Sequence, residues 1–263
     1  RSVEVGGRPV HVRLGPTVPG SVPVVALHGF ALAGWSVLPT ARLLGARATA
    51  VVPDLPGHGA SPPWARALPV DELADALLET LDALGLGTVD LVGTSMGCAV
   101  ALEVARVAPQ RVRRLVLTSP TGGPHNEPLL RAVGQLLRDG LHEPPPALPR
   151  VLRDYLRFGP AGVVRLFAQT TRFPTLERAG RGPHPTLVVV GTRDPLAPPA
   201  ARLVRLGRRG PRHLTVAAVE GAAHGMLFSH AEAVAHLVAS WGDGPDAAPP
   251  APAASRVVRV PHD

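Results

Sequence analysis

The chain has 263 residues, 45% of them hydrophobic, which is the size of one large globular domain and cramped for two. Its formal net charge is +7, yet every one of the 27 basic residues is arginine and only 3% of residues are aromatic. The arginines are scattered, with small groups at Arg111, Arg113 and Arg114 and at Arg208, Arg209 and Arg212, and no helix interleaves them with aromatics. No nucleic-acid partner is expected from that pattern.

Other classes fall away in turn. A single cysteine, Cys98, excludes a disulfide framework within the chain. No Cys, His or carboxylate cluster has metal-ligand spacing, and neither a G-x-G-x-x-G loop nor a P-loop is present, so no metal and no cofactor is expected. No apolar run reaches membrane-spanning length, and the first residues do not form a signal peptide, which makes cytoplasmic the expected location. The chain starts at Arg1 without an initiator Met, which leaves room for a preceding segment. Oligomeric state is not readable from the sequence.

In chain order, residues 2–5 and 9–14 read as an antiparallel hairpin turning at Gly6-Gly7. Strand-like runs follow at 22–27, 48–53, 88–92, 114–118, 186–190 and 214–219, separated by helical stretches at 34–44, 70–84, 96–108 and 199–206. A last helix is expected at 228–241. Such alternation predicts an α/β fold with a mostly parallel twisted sheet and helices on both faces. The rhythm breaks between 122 and 183, where helical fragments are cut by Pro-rich pieces such as Glu143-Pro-Pro-Pro146. From 243 to 263 the chain is Pro/Ala-rich and reads as a disordered tail, with 256–260 able to add a short extended segment.

Chemistry concentrates at the ends of the strands. Gly93-Thr94-Ser95-Met96-Gly97 joins a short apolar strand to an Ala/Leu-rich helix, the setting in which a G-x-S-x-G match holds a nucleophile on a strained turn. A serine there sits near φ > 0, and Gly93 and Gly97 leave room for strand and helix to approach closely. A serine hydroxyl needs a base. Of the 11 histidines, His224 alone follows the last strand in a small-residue loop, whereas His213 begins a strand, His236 lies inside a helix and His184 sits between prolines. Asp194, directly after the strand at 186–190, is the orienting acid, although an aspartate before Pro195 also fits a turn or helix cap. Cys98 reads as buried packing.

With these residues in the order Ser95, Asp194, His224, the chain resembles the α/β-hydrolase superfamily. Two further motifs carry the resemblance: His28-Gly29-Phe30 after a strand, and the D-x-x-G-x-G-x-S loop from Asp54 to Ser61. It extends over about residues 22–241. The resemblance implies an oxyanion hole from the backbone N–H groups of Phe30 and Met96, supported by His28, Gly29, Gly93 and Gly97, with His28 bracing the loop and His58 buttressing a turn. It also implies that 122–183 is a helical cap inserted between core segments 1–121 and 184–242. Leu129, Leu130, Val133, Leu136, Leu137, Leu152, Tyr155, Leu156, Phe158, Leu166, Phe167 and Phe173 are available to it, most of them for packing the cap onto the core.

The expected activity is cleavage of a small to medium, largely apolar carboxylic ester through an acyl-enzyme. Alternatives with the same machinery are a carbon–carbon bond hydrolase of ring-fission products, a biosynthetic thioesterase or cyclase, and a cofactor-free perhydrolase. A serine at position 95 argues against dehalogenase or epoxide-hydrolase chemistry, which uses an aspartate there. A ligand receptor or scaffold of the same fold is the reading from another class. The partner in every enzymatic case is a small-molecule substrate.

Overall fold

The computed structural model describes residues 1–242 and the backbone of residues 257–260. The chain opens with β1 (Ser2–Val5) and β2 (Arg8–Leu14), antiparallel across a turn in which Gly6 and Gly7 have φ of 53° and 73°. There follow β3 (Val24–Leu27), α1 (Leu38–Leu44), β4 (Ala50–Pro53), α2 (Val70–Ala83), β5 (Val89–Thr94), α3 (Met96–Val107) and β6 (Val112–Thr118). Four helices then run with no strand between them: α4 (Leu129–Asp139), α5 (Leu148–Phe158), α6 (Pro160–Arg172) and α7 (Thr175–Arg181). The alternation resumes with β7 (Thr186–Gly191), α8 (Ala200–Arg209), β8 (Leu214–Val219), α9 (Met226–Ser229), α10 (Ala231–Gly242) and β9 (Val257–Val260).

The described strands form one sheet in the order β1-β2-β4-β3-β5-β6-β7-β8-β9. It is parallel from β4 to β8 and antiparallel at both edges. Every residue of β3, β5 and β7 is buried, which is why β3 and β7 read as nearly continuous apolar runs, while β5 carries Asp90 in its second position. Side chains alternate between faces. Val25, Leu27, Leu91 and Leu117 pack with Leu73 and Leu77 of α2 and Val100 and Val104 of α3. Val24, Ala26, Val92 and Val189 pack on the other face with Ala41 of α1 and Val234 and Leu237 of α10. Each fully buried Val or Leu contributes about 1.5–3 kcal/mol of transfer free energy.

The six expected parallel strands and the hairpin start and end within two residues of the observed ones. Two expected helices are each broken. The stretch 34–44 is a 3-10 turn (Gly34–Ser36) followed by α1, and 228–241 is divided into α9 and α10 at His230. Val257–Val260 pairs antiparallel with β8 in the extended conformation that the sequence allowed, while residues 243–256 and 261–263 of the expected tail lie outside the described residues.

Helices α6 and α7 add Leu166, Phe167, Leu176 and Ala179 to the core, while α4 and α5 are less covered. In α4 only Ala132 and Asp139 are buried, and in α5 only Asp154. Trp35 Nε1 donates to Asp154 Oδ2 at 2.7 Å, and the Phe30 ring stacks on Phe167 at 4.9 Å and meets Tyr155 edge-on at 5.4 Å. Leu130, Leu152 and Leu156 are 83%, 62% and 72% exposed, whereas Leu129, Leu136, Tyr155, Phe158, Leu166, Phe167 and Phe173, most of the apolar residues named from the sequence for this segment, pack in or against the core. Arg113 and Arg114 both pair with the buried Asp90, and Arg111 pairs with Asp82, so one of the arginine groups is tied into the fold. No helix among the described residues is long and apolar enough to cross a membrane.

Candidate active site

β5 ends at Thr94, and the chain reverses at Ser95 with φ 54° and ψ −118° before α3 begins. A non-glycine residue at positive φ costs on the order of 1–3 kcal/mol and is held there by its surroundings. Ser95 N–H donates to Thr118 O at 3.1 Å on the neighbouring strand. A Cβ on Gly93 would lie 2.4 Å from Gly97 O, and one on Gly97 would lie 2.6 Å from Leu27 O, so both positions require glycine. Serine at a helix N-cap normally accepts from a backbone N–H of the first turn. Ser95 does not, and its hydroxyl is left for the cavity at the sheet's C-terminal edge.

Asp194 follows β7. Its Oδ1 accepts from Leu196 N–H at 2.8 Å and Ala197 N–H at 3.2 Å, and its Oδ2 accepts from His224 Nδ1 at 2.9 Å. The turn-capping contacts thus fall on one oxygen and the His224 contact on the other. His224 lies in the loop after β8, and a Cβ on Gly191 would be 2.3 Å from Ala222 O, so the ends of β7 and β8 close tightly on one another. With Nδ1 donating to Asp194, Nε2 is the nitrogen available to the cavity that Ser95 and His224 both line.

Burial would press the His224 imidazole toward its neutral form. The charge and hydrogen bond of Asp194, joined by Asp139 and Glu143, instead lift its pKa to about 9. Burial likewise works against the Asp194 carboxylate, but His224, the Leu196 N–H and Ser119 hold its pKa below the usual range.

The Phe30 and Met96 backbone N–H groups donate to no protein group among the described residues, although both residues are buried. Buried N–H groups are rarely unpartnered, so this pair has donor capacity to spare beside Ser95. Gly29 lies beside Ser95, where a Cβ would make ordinary van der Waals contact with the Ser95 Cβ at 3.5 Å. His28 Nδ1 donates to Gly29 O at 2.8 Å and its Nε2 accepts from Leu55 N–H at 3.0 Å, so the ring ties two turns together and burial keeps it neutral. His58 packs 4.9 Å from it, donates to Pro56 O at 3.0 Å, and is depressed by burial to about 3. The Asp54 loop is a further brace, with Asp54 accepting from Gly34 N–H, Ala60 N–H and Arg13. Cys98 is buried with its pKa pushed up, a poor nucleophile.

The cavity has a volume of about 310 Å³, at the small end of ligand sites. Of the twelve apolar residues named from the sequence for the 122–183 segment, Leu136, Leu137 and Tyr155 line it, and Leu148 and Val151 join them. A larger surface hollow of about 680 Å³, between residues 20–48 and α10, contains none of the candidate site residues. Three contacts had no sequence signal. Ser119, with φ 48°, donates its hydroxyl to His224 O at 3.0 Å. Asp139 Oδ1 accepts from His224 N–H at 3.1 Å, and Glu143 Oε1 accepts from Gly225 N–H at 2.6 Å. Among the described residues no three His, Cys, Asp or Glu side chains converge as a metal site would.

The model of the alpha/beta hydrolase family matches residues 24–237. The dihydrolipoyllysine-residue acetyltransferase component of the acetoin cleaving system of Pseudomonas putida is 32% identical over 233 residues, 80% of this chain and 60% of that protein. The chain therefore spans less than two thirds of that relative. A pimeloyl-(acyl-carrier protein) methyl ester esterase of Neisseria meningitidis is 30% identical over 219 residues, 73% of this chain and 82% of the esterase. Among solved structures, a malate-bound thermophilic esterase from Thermogutta terrifontis superposes with a TM-score of 0.74 at 22% identity, covering 92% of this chain and 97% of that one. That likeness is one of fold.

Proposed function

The chain belongs to the alpha/beta hydrolase family, and on that premise we propose that it hydrolyses small, largely apolar carboxylic esters through an acyl-enzyme on Ser95. The observation that carries this reading is the His224 Nδ1 to Asp194 Oδ2 bond of 2.9 Å in the cavity into which the strained Ser95 turn opens. The name of the Neisseria relative, a methyl ester esterase, supports the ester.

In this reading the Ser95 hydroxyl attacks the ester carbonyl and its proton passes to His224 Nε2, while Asp194 fixes the imidazole's tautomer and stabilises its charge. The Phe30 and Met96 N–H groups receive the oxyanion, each worth on the order of 2.7–4 kcal/mol in the transition state. His224 then protonates the departing alcohol. Water repeats the attack, gives its proton to His224, and the acid leaves as Ser95 recovers its hydroxyl. Helices α4–α7, within residues 122–183, act as a cap over a core of 1–121 and 184–242, and the cap sets which acyl and alcohol groups fit. A receptor of the same fold would have no use for the Asp194–His224 pair.

The test is hydrolysis of p-nitrophenyl butyrate by wild type and Ser95→Ala. The variant should lose at least about 10⁴ in kcat while keeping its fold. Equal rates would remove Ser95 from the chemistry.

A further inference from the structure

A protein with 27 arginines and a net charge of +7 draws anions toward its surface, yet no arginine lines the cavity around Ser95. Its charged groups are His224, Asp139 and Glu143, set among Leu136, Leu148, Val151, Leu227 and Phe228. His224 is paired with Asp194, which leaves the two carboxylates as the uncompensated charge.

Neither carboxylate is free to swing away. Asp139 is buried and bonded to His224 N–H, and Glu143 is bonded to Gly225 N–H, where a Cβ on Gly225 would lie 2.5 Å from the Glu143 carboxylate. Asp139 is also the last residue of α4, the end of a helix at which negative charge is disfavoured. An acid in so unfavourable a place is the mark of a site requirement.

We propose that Asp139 and Glu143 are specificity-determining residues that make this pocket reject substrates bearing a carboxylate near the scissile carbonyl and accept their neutral counterparts. The inference deepens the ester reading and rests on it. Among low-dielectric walls, like charges repel far more than in water. The same repulsion helps expel the acid product. Carboxylate-bearing ring-fission products are thereby disfavoured as substrates. The titratable groups facing the pair are His224 and Asp194 from the strand ends, Tyr155 from α5 and His230 after α9. Burial, with repulsion from Glu143 and Asp194 and against the pull of His224, lifts Asp139 to about 7, so discrimination should sharpen as pH rises through 7.

Dimethyl adipate and monomethyl adipate test this, since they share the scissile bond and differ by one negative charge. Initial-rate kcat/KM in wild type should favour the diester roughly a hundredfold at pH 8, and less at pH 6. Asp139→Asn and Glu143→Gln keep the acceptor oxygens, so each should shrink that ratio by about tenfold whatever it does to the absolute rate. A wild-type ratio within about threefold of unity at both pH values overturns the proposal without requiring any variant to fold. So does an unchanged ratio in the double variant. If neither ester is hydrolysed, the ester reading itself fails, and this one with it.

Discussion

The sheet and helices α4–α5 differ in how completely they bury their side chains. In β3, β5 and β7 the apolar side chains are inside and the core closes on itself. In α4 and α5 several leucines are exposed, Ala132 and the part-buried Leu129, Leu136, Tyr155 and Phe158 meet the core, and the buried acids Asp139 and Asp154 bond to His224 N–H and Trp35 Nε1. The sheet is therefore held by the hydrophobic effect and presents chemistry from rigid strand ends. The two helices are held by a thinner apolar contact with the core and by a few polar and aromatic contacts around a cavity. In the proposed reading, where these helices select the substrate, a region so attached can change its lining without disturbing Ser95.

The largest effect expected from this comparison links the two regions. The His224 pKa of about 9 lies above the ordinary value of 6.5, so below pH 9 the imidazole is protonated and cannot accept the Ser95 proton. The kcat/KM for p-nitrophenyl butyrate should therefore rise roughly fiftyfold from pH 7 to pH 9 and then level. Asp139→Asn removes one charge that holds this pKa up, so the limb should move to lower pH. A limb that stays in place would detach the helical segment from the chemistry. Stability runs the other way. The raised His224 pKa contributes stability that is fully present below pH 6.5 and is lost as pH rises through about 9.

Thermal or urea unfolding sharpens the same contrast. Leu91→Ala, in a strand buried on both faces, should cost about 2–5 kcal/mol. Leu152→Ser, on the outer surface of α5, should change stability by less than about 0.5 kcal/mol. Similar losses at the two positions would mean that α5 is packed as a core helix.

The contrast also explains what the sequence disclosed. Strands buried on both faces leave unbroken apolar runs such as Thr186-Leu-Val-Val-Val190, so their positions were legible to within two residues. Ser95, Asp194 and His224 were legible as candidates because each follows a strand-like run, with close backbone approach demanding glycine at Gly93, Gly97 and Gly191. Asp139 and Glu143 could not. Their contacts with His224 and Gly225 span 85 and 82 residues, and nothing local separates them from solvated helix-end acids. Most of the apolar residues named for 122–183 do pack on the core, but which leucines stay exposed was not legible, since an amphipathic pattern shows that a helix has an apolar face without showing how far each of its residues is covered. The breaks at Val37 and His230 lie inside patterns that periodicity alone would run through.

The central claim, that Ser95 is the nucleophile activated by His224 and Asp194, is tested most directly by trapping it. After reaction with a fluorophosphonate, intact-mass and peptide mass spectrometry should show one adduct per chain, on Ser95, formed quickly by wild type at pH 9 and far more slowly by Asp194→Asn. Ester hydrolysis that persists while Ser95 stays unlabelled, or an adduct mapped to another residue, would contradict it.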